Sequence, residues 1–223
     1  MALRKTVLAT DEIYHVYNRG VEKRPIFLNK RGYSRFLELT NYYRFANCPV
    51  KFSQFKVLSH KVREALLDKL KSQADKLVEI LAFCLMPNHI HLLCKQLKDN
   101  GISKFMSKTS SGYSHYFNIL NQRVGPLFQG NFKAVRIETD EQLIHVSRYI
   151  HLNSVSSYLL EFDQLESYEY SSYPEYIVKK AGFCNTEQVL AYFKTVQAYK
   201  NFVKDQVDYA RKLENIKHLI LEN

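Results

Sequence analysis

The sequence predicts an α+β fold, a ferredoxin-like split βαβ antiparallel sheet with helices on one face, carrying a helical insertion and a helical C-terminal tail. Two observations carry that reading. Segments of strand and helix character follow one another as β, α, β, β, α, β, and the two central strands flank a Met86-Pro87-Asn88 turn short enough to make them a hairpin. The chain has 223 residues and is 46% hydrophobic, enough to bury a full core. The expected layout is one domain over residues 1–155, interrupted by an insertion at 48–76, and an extension over 156–223.

Glu12 to Arg19 is short, aromatic and β-branched, and Gly20 ends it, which makes it the first strand. A helix is expected from about Asn29, with Tyr33, Phe36, Leu37, Thr40 and Tyr43 at helical spacing and Asn47 with Pro49 closing it. Within the insertion, Val62, Leu66, Leu67 and Leu70 line one side of an amphipathic helix and lysines the other. Leu77 to Phe83 is an apolar run that pairs with a third strand, His89 to Gln96. Ile102, Phe105, Met106, Tyr113, Tyr116, Phe117 and Leu120 mark the buried face of a second long helix, with Gly125-Pro126 beyond its end and Ser107 to Ser114 on its outer face. Gly130-Asn131 then precedes a fourth strand, Phe132 to Glu138. A third helix follows, where Thr139 and Gln142 have capping-box spacing and Leu143, Val146 and Ile150 form the core stripe. Beyond Val155 lie a tyrosine-rich connector, SYEYSSYPEY, and helical segments from Thr186 to Leu221.

The formal charge of +10, from 32 Lys and Arg against 22 Asp and Glu, favours polyanionic partners, nucleic acid ahead of acidic membrane. Sixteen Tyr and 14 Phe, with no Trp, supply rings that could stack on bases, although most are expected in the core. Cys48, Cys84, Cys94 and Cys184 lack CxxC spacing, so reduced thiols in a cytoplasmic, nucleoid-associated protein are expected rather than a zinc finger or disulfides. No apolar run is long enough to span a bilayer, and no membrane partner is expected.

Alternation on the third strand sets His89 and His91 on one face and Ile90, Leu92 and Cys94 on the other. Two imidazoles so spaced can aim at one cation, and imidazole suits Mn, Zn, Ni and Cu better than Mg. A lone HxH is more often a pair of surface histidines; the apolar back of this strand is what makes both project from a supported sheet. On the third helix, Tyr149 and Asn153 lie four apart, one above the other, and can face one pocket. By itself the helix favours one more packed tyrosine.

YHVYNRG, CLMPNHIHLL, the stretch from Ser103 to Glu138 and RYIHLN together resemble the single-tyrosine HUH transposases of the IS200-like family, most closely the REP-associated tyrosine transposases. The similarity runs from about Tyr14 to Val155 and continues more weakly through YEYSSY and the Tyr199 to Val203 stretch. It implies a catalytic domain over residues 1–155, with Tyr149 as nucleophile and His89, His91 and Asn153 as ligands of a divalent metal, Mg or Mn. It further implies nicking and strand transfer on single-stranded or hairpin DNA through a 5′-phosphotyrosine. Arg19, Lys95, Lys104, Lys108, Arg136 and Arg148, with Lys179, Lys180 and Lys200 of the tail, are the expected DNA contacts. Monomer and homodimer both stay open.

The chain departs from the family pattern in three places. Asn153 is followed by Ser154 where the family usually has Pro, Asn131 stands where it usually has a basic residue, and Phe128 lies near a position that is often Trp. The main rival is a non-catalytic single-stranded nucleic-acid-binding module on the same sheet, which would need exposed rings on its central strands. A histidine-triad phosphoesterase would want a histidine where Leu93 stands.

Overall fold

The computed structural model describes residues 7–221; the outermost ends of the two expected domains, residues 1–6 and 222–223, lie outside the described residues. Strands β1 (Ile13–Arg19), β2 (Val78–Met86), β3 (His89–Gln96) and β4 (Lys133–Ile137) form one sheet in the order β2-β3-β1-β4. Every neighbouring pair is antiparallel, which is the ferredoxin-like sheet that the sequence predicts.

The hairpin is tighter than expected. β2 runs on to Met86, which pairs with His89, so the turn itself is Pro87-Asn88. The segment after β1 fastens it: Ile26 N and Phe27 N donate to Pro87 O at 2.7 and 3.0 Å, and Gly20 N donates to Asn88 O at 2.8 Å. A Cβ at Gly20 would collide with the Arg24 carbonyl, so this close approach requires glycine.

On one face of the sheet, Tyr14, Val16, Ile90, Leu92 and Cys94 pack against helices α1 (Lys30–Tyr43) and α4 (Gly101–Leu120) through Phe36, Leu39, Ile102, Phe105 and Tyr113. Asn29 caps α1 by accepting from Gly32 N at 3.1 Å. The insertion folds as α2 (Phe52–Val57) and α3 (His60–Gln73), which extend this layer through Phe52, Phe55 and Leu70. Only the C-terminal half of α3 reaches the core, so Val62, expected on its apolar side, is exposed.

The expected placing of helices on one face holds for α1 and α4 and is corrected beyond them. α5 (Asp140–Ser156) lies on the opposite face, where Leu143, Ile150 and Val155 pack with Leu81, Ala82, Cys84 and Leu93. The cause is legible in β2: a bulge between Ile80 and Ala82 and a run of apolar residues leave the strand buried on both faces. Thr139 caps α5, accepting from Gln142 N at 3.1 Å, while Gln142 reaches back to Glu138 N at 2.7 Å, one residue before the cap.

The tail continues this second layer through α6 (Tyr173–Ile177), α7 (Glu187–Leu190) and α8 (Val196–Lys204), and ends in α9 (Val207–Leu221). Tyr173, Tyr176, Tyr199 and Val203 are fully buried with α5. The tail also closes the outer edge of β2: Leu85 N donates to Tyr170 O, Ser172 N to Phe83 O and Asn185 N to Ile80 O, at 2.8–2.9 Å. All four cysteines are free thiols. Among the described residues, no helix is long and apolar enough to cross a membrane.

Candidate active site

The register of β1 on β3 pairs Tyr17 with His91, Arg19 with His89 and His15 with Leu93. With a side-chain period of two, His89 and His91 share the α5 face with His15, Tyr17 and Arg19. α5 covers Leu93 and His91 and leaves His15, Tyr17 and His89 partly exposed and Arg19 exposed. Tyr149 projects from α5 onto this face, 43% exposed, while His91 beneath is 6% exposed. The Tyr149 ring stands edge-on to His91 at 5.6 Å and to His15 at 5.8 Å between centroids. His89 and His91 are perpendicular at 4.9 Å. Three expected residues, His89, His91 and Tyr149, are therefore brought together.

Asn153 sits one turn further along α5, nearly buried, and donates its carboxamide to the Tyr149 carbonyl at 2.8 Å. Oδ1 is thus the atom it would offer a cation. At His89, Nδ1 lies 2.6 Å from Asn88 Oδ1, and the Asn88 amide nitrogen donates to Lys23 O at 3.0 Å. That second bond orients the amide, so His89 donates from Nδ1, which leaves Nε2 as the nitrogen it would offer a cation. His91 Nδ1 is engaged by His15 Nε2 at 2.8 Å. Burial pushes the His15 imidazole down to about 4, so it is neutral at physiological pH.

His89 and His91 could offer Nε2 to a borderline divalent cation, since each is tied at Nδ1 by a neighbour, the arrangement that orients metal-binding imidazoles. Among the described residues there is no group of three His, Cys, Asp or Glu able to hold a metal ion. Two imidazoles, with the Asn153 amide oxygen that the resemblance adds to them, are uncharged donors that would suit a cation whose remaining ligands are oxygens of an anionic substrate.

The sequence reading missed His15, although the alternation of Glu12 to Arg19 sets it opposite Tyr14 and Val16. Of the other tyrosines that could compete with Tyr149 (Tyr14, Tyr17, Tyr113, Tyr116 and Tyr158), most lie away from the histidines. Tyr14 and Tyr113 are fully buried on the other face, Tyr113 donating to Ile26 O. Tyr116 packs beneath Arg35 on the α4 side, and Tyr158 lies beyond α5 under Arg211. Tyr17 alone among them shares the site, 6.1 Å from His91.

Of the expected DNA contacts, Arg19 adjoins the histidines, exposed beside His89. Lys95 lies at the far end of β3, 3.9 Å from Asp11. Arg136 points to the other face, where it grips Glu12 with two nitrogens. Lys104 and Lys108 belong to α4, behind the sheet, with the Lys108 ammonium over the Tyr43 ring at 5.8 Å. Arg148 turns to the tail: it stacks on Phe202 at 4.1 Å and donates to Phe202 O and His145 Nδ1. Lys180 and Lys200 are paired with Glu169 and Glu166, and Lys179 is exposed in the tail. Nearness in sequence to a motif does not give the face of a side chain. An unexpected basic residue does join the site: Lys133 of β4 is exposed opposite Tyr17.

The departures from the family pattern fall in two places. Ser154 is fully buried, its carbonyl accepting from Leu159 N and Leu160 N. Phe128 and Asn131 line a groove of about 600 Å³ between the serine face of α4 and the loop before β4, apart from the histidines.

The sequence model of the family described as "Transposase IS200 like" matches residues 41–153, just over half of the chain. No curated protein matches in sequence. Among solved structures, one described as a REP-associated tyrosine transposase bound to a REP hairpin superposes with a TM-score of 0.55 at 15% identity, covering 81% of this chain and 87% of that one. At that identity the likeness is one of fold.

Proposed function

The chain belongs to the IS200-like transposase family, and from that premise we propose that it cuts and rejoins single-stranded DNA through a 5′-phosphotyrosine on Tyr149. His89, His91 and Asn153 would hold the divalent cation, Mg or Mn, on which the cutting depends. The observation that carries this reading is the exposed Tyr149 ring standing edge-on over His91, whose neighbour His89 faces it at a right angle.

A phosphodiester repels nucleophiles with its own charge, and a bound cation supplies neutralisation of a non-bridging oxygen. The chain's residues do the rest. Tyr149 Oη forms a bond to phosphorus as the bond from phosphorus to the 3′ oxygen of the preceding nucleotide breaks. The phenol gives up its proton and the departing oxygen gains one, so charge is conserved. The 5′-phosphotyrosine keeps the energy of the broken ester, and attack by another 3′ hydroxyl reverses the step to give strand transfer. Arg19 and Lys133 flank the site and would meet phosphates on either side of the scissile one.

The substrate that follows from this proposal is a hairpin-bearing single strand. One scissile phosphate must enter between the histidines and Tyr149, which a continuous stacked duplex resists. The solved structure of similar fold is of a transposase bound to a hairpin, which supports the same class of substrate here.

A second reading, binding without catalysis, draws on Tyr17 and Tyr149 as rings on the open face. Labelled hairpin strands and matched duplexes, incubated with manganese or with excess chelator, separate the two. A covalent protein–DNA adduct from the hairpin strand, lost in chelator, is expected. Binding with no adduct under either condition favours the second reading, and equal cleavage of duplex and hairpin contradicts the substrate class.

A further inference from the structure

We propose that His15 is a positioning residue for His91, holding its ring so that Nε2 faces the cation; this rests on the reading of His89 and His91 as ligands. The geometry has three parts. His15 Nε2 lies 2.8 Å from His91 Nδ1. The rings are nearly parallel, 21° apart with centroids at 5.1 Å. His15 is displaced by one pleat along β1, because the residue directly opposite His91 is Tyr17.

The two ligands are thus fastened by different elements. Asn88 of the hairpin turn holds His89, and β1, through His15, holds His91. An N–H···N contact between two imidazoles contains one proton and so has two forms. If His15 donates, the proton of His91 is on Nε2 and that atom cannot bind a cation. If His91 donates from Nδ1, its lone pair is on Nε2 and its ring plane is fixed by the bond to His15. The 2.8 Å contact therefore links the tautomer that can bind a metal to an acceptor on β1. Outer partners of this kind typically change metal affinity 10–100-fold.

Two variants and one spectrum test the inference. His15→Phe keeps a ring of similar size and removes the acceptor; His15→Gln supplies an amide oxygen in its place. Manganese binding is read by the electron paramagnetic resonance signal of free Mn, and folding by thermal melting. His15→Phe is expected to bind Mn about 10–100-fold more weakly than wild type, and His15→Gln to recover most of that loss. Both should bind single-stranded DNA in chelator as wild type does. In metal-free wild-type protein, a nitrogen–nitrogen coupling across the hydrogen bond should connect His15 Nε2 and His91 Nδ1. Wild-type Mn affinity in a folded His15→Phe, no recovery in His15→Gln, or absence of that coupling overturns the inference. Failure of wild-type protein to take up Mn would instead overturn the ligand reading, and the inference with it.

Discussion

His151 of α5 and Ser172 of the tail share a 2.8 Å hydrogen bond with neither residue exposed. The other nitrogen of the same imidazole meets Tyr199 OH of α8 at 2.8 Å, and Ser172 Oγ accepts from Phe83 N of β2 at 2.9 Å. One buried ring therefore joins α5, the edge of β2 and the tail. Tyr149 is two residues before it on the same helix, so the tail helps to set where the proposed nucleophile stands.

His151→Leu should destabilise the protein by about 3 kcal/mol, because Ser172 and Tyr199 each lose a buried partner. Acid should do the same to wild type. Burial pushes His151 from its usual 6.5 down to about 3, so between these values the unfolded chain binds the extra proton. This contribution is fully present above pH 6.5 and is lost as the pH falls toward 3, about 2 kcal/mol of it between pH 7 and pH 5. Urea unfolding of both proteins at the two pH values checks this: the variant should show a shallower fall than wild type.

Arg19→Glu and Lys133→Glu should each weaken DNA binding and reduce the slope of log affinity against log salt by about 0.7–0.9. Lys104→Glu and Lys108→Glu, on the helix behind the sheet, should leave cleavage nearer to wild type. Binding titrations from low to moderate salt measure the slopes. Equal losses from all four variants would place the DNA path across both layers.

Burial pushes the Cys84 thiol up to about 12 and the Cys48 thiol up to about 11. Both are therefore thiols at pH 8. A disulfide dye should leave Cys84 untouched in the folded protein and react slowly with Cys48, faster as the pH rises. All four thiols should react at once in denaturant. Rapid labelling of Cys84 at pH 8 would mean that the β2 edge opens on the timescale of the assay.

Much of this architecture is legible in the sequence because periodicity reports on burial. Val16, Ile90, Leu92 and Cys94 fall at every second position and mark the face of β1 and β3 that meets α1 and α4, while Leu93 on the other face is buried in the second layer. The same alternation sets His89 and His91 on the opposite face, and Tyr149 follows from a resemblance rather than from the pattern of its helix. What could not be read is what depends on pairing between distant segments. His15 becomes meaningful only when β1 is registered against β3. The tail reads as an appendage because the i, i+3 spacing of Tyr173 and Tyr176 and the i, i+4 spacing of Tyr199 and Val203 give a side of a helix and not what it packs on, which is α5 and β2. Charge is least legible: Arg148 is used by Phe202, and Arg136 by Glu12.

The most direct test of the central claim is the tyrosine that carries the DNA. Wild type, Tyr149→Phe and Tyr17→Phe are incubated with a labelled hairpin strand and manganese, then run on a denaturing gel, with peptide mapping of any adduct. Only the phenol oxygen is lost in each variant, so folding and DNA binding should persist. The adduct should vanish in Tyr149→Phe, persist in Tyr17→Phe and map to Tyr149 in wild type. An undiminished adduct in Tyr149→Phe, or its loss in Tyr17→Phe alone, would contradict the account.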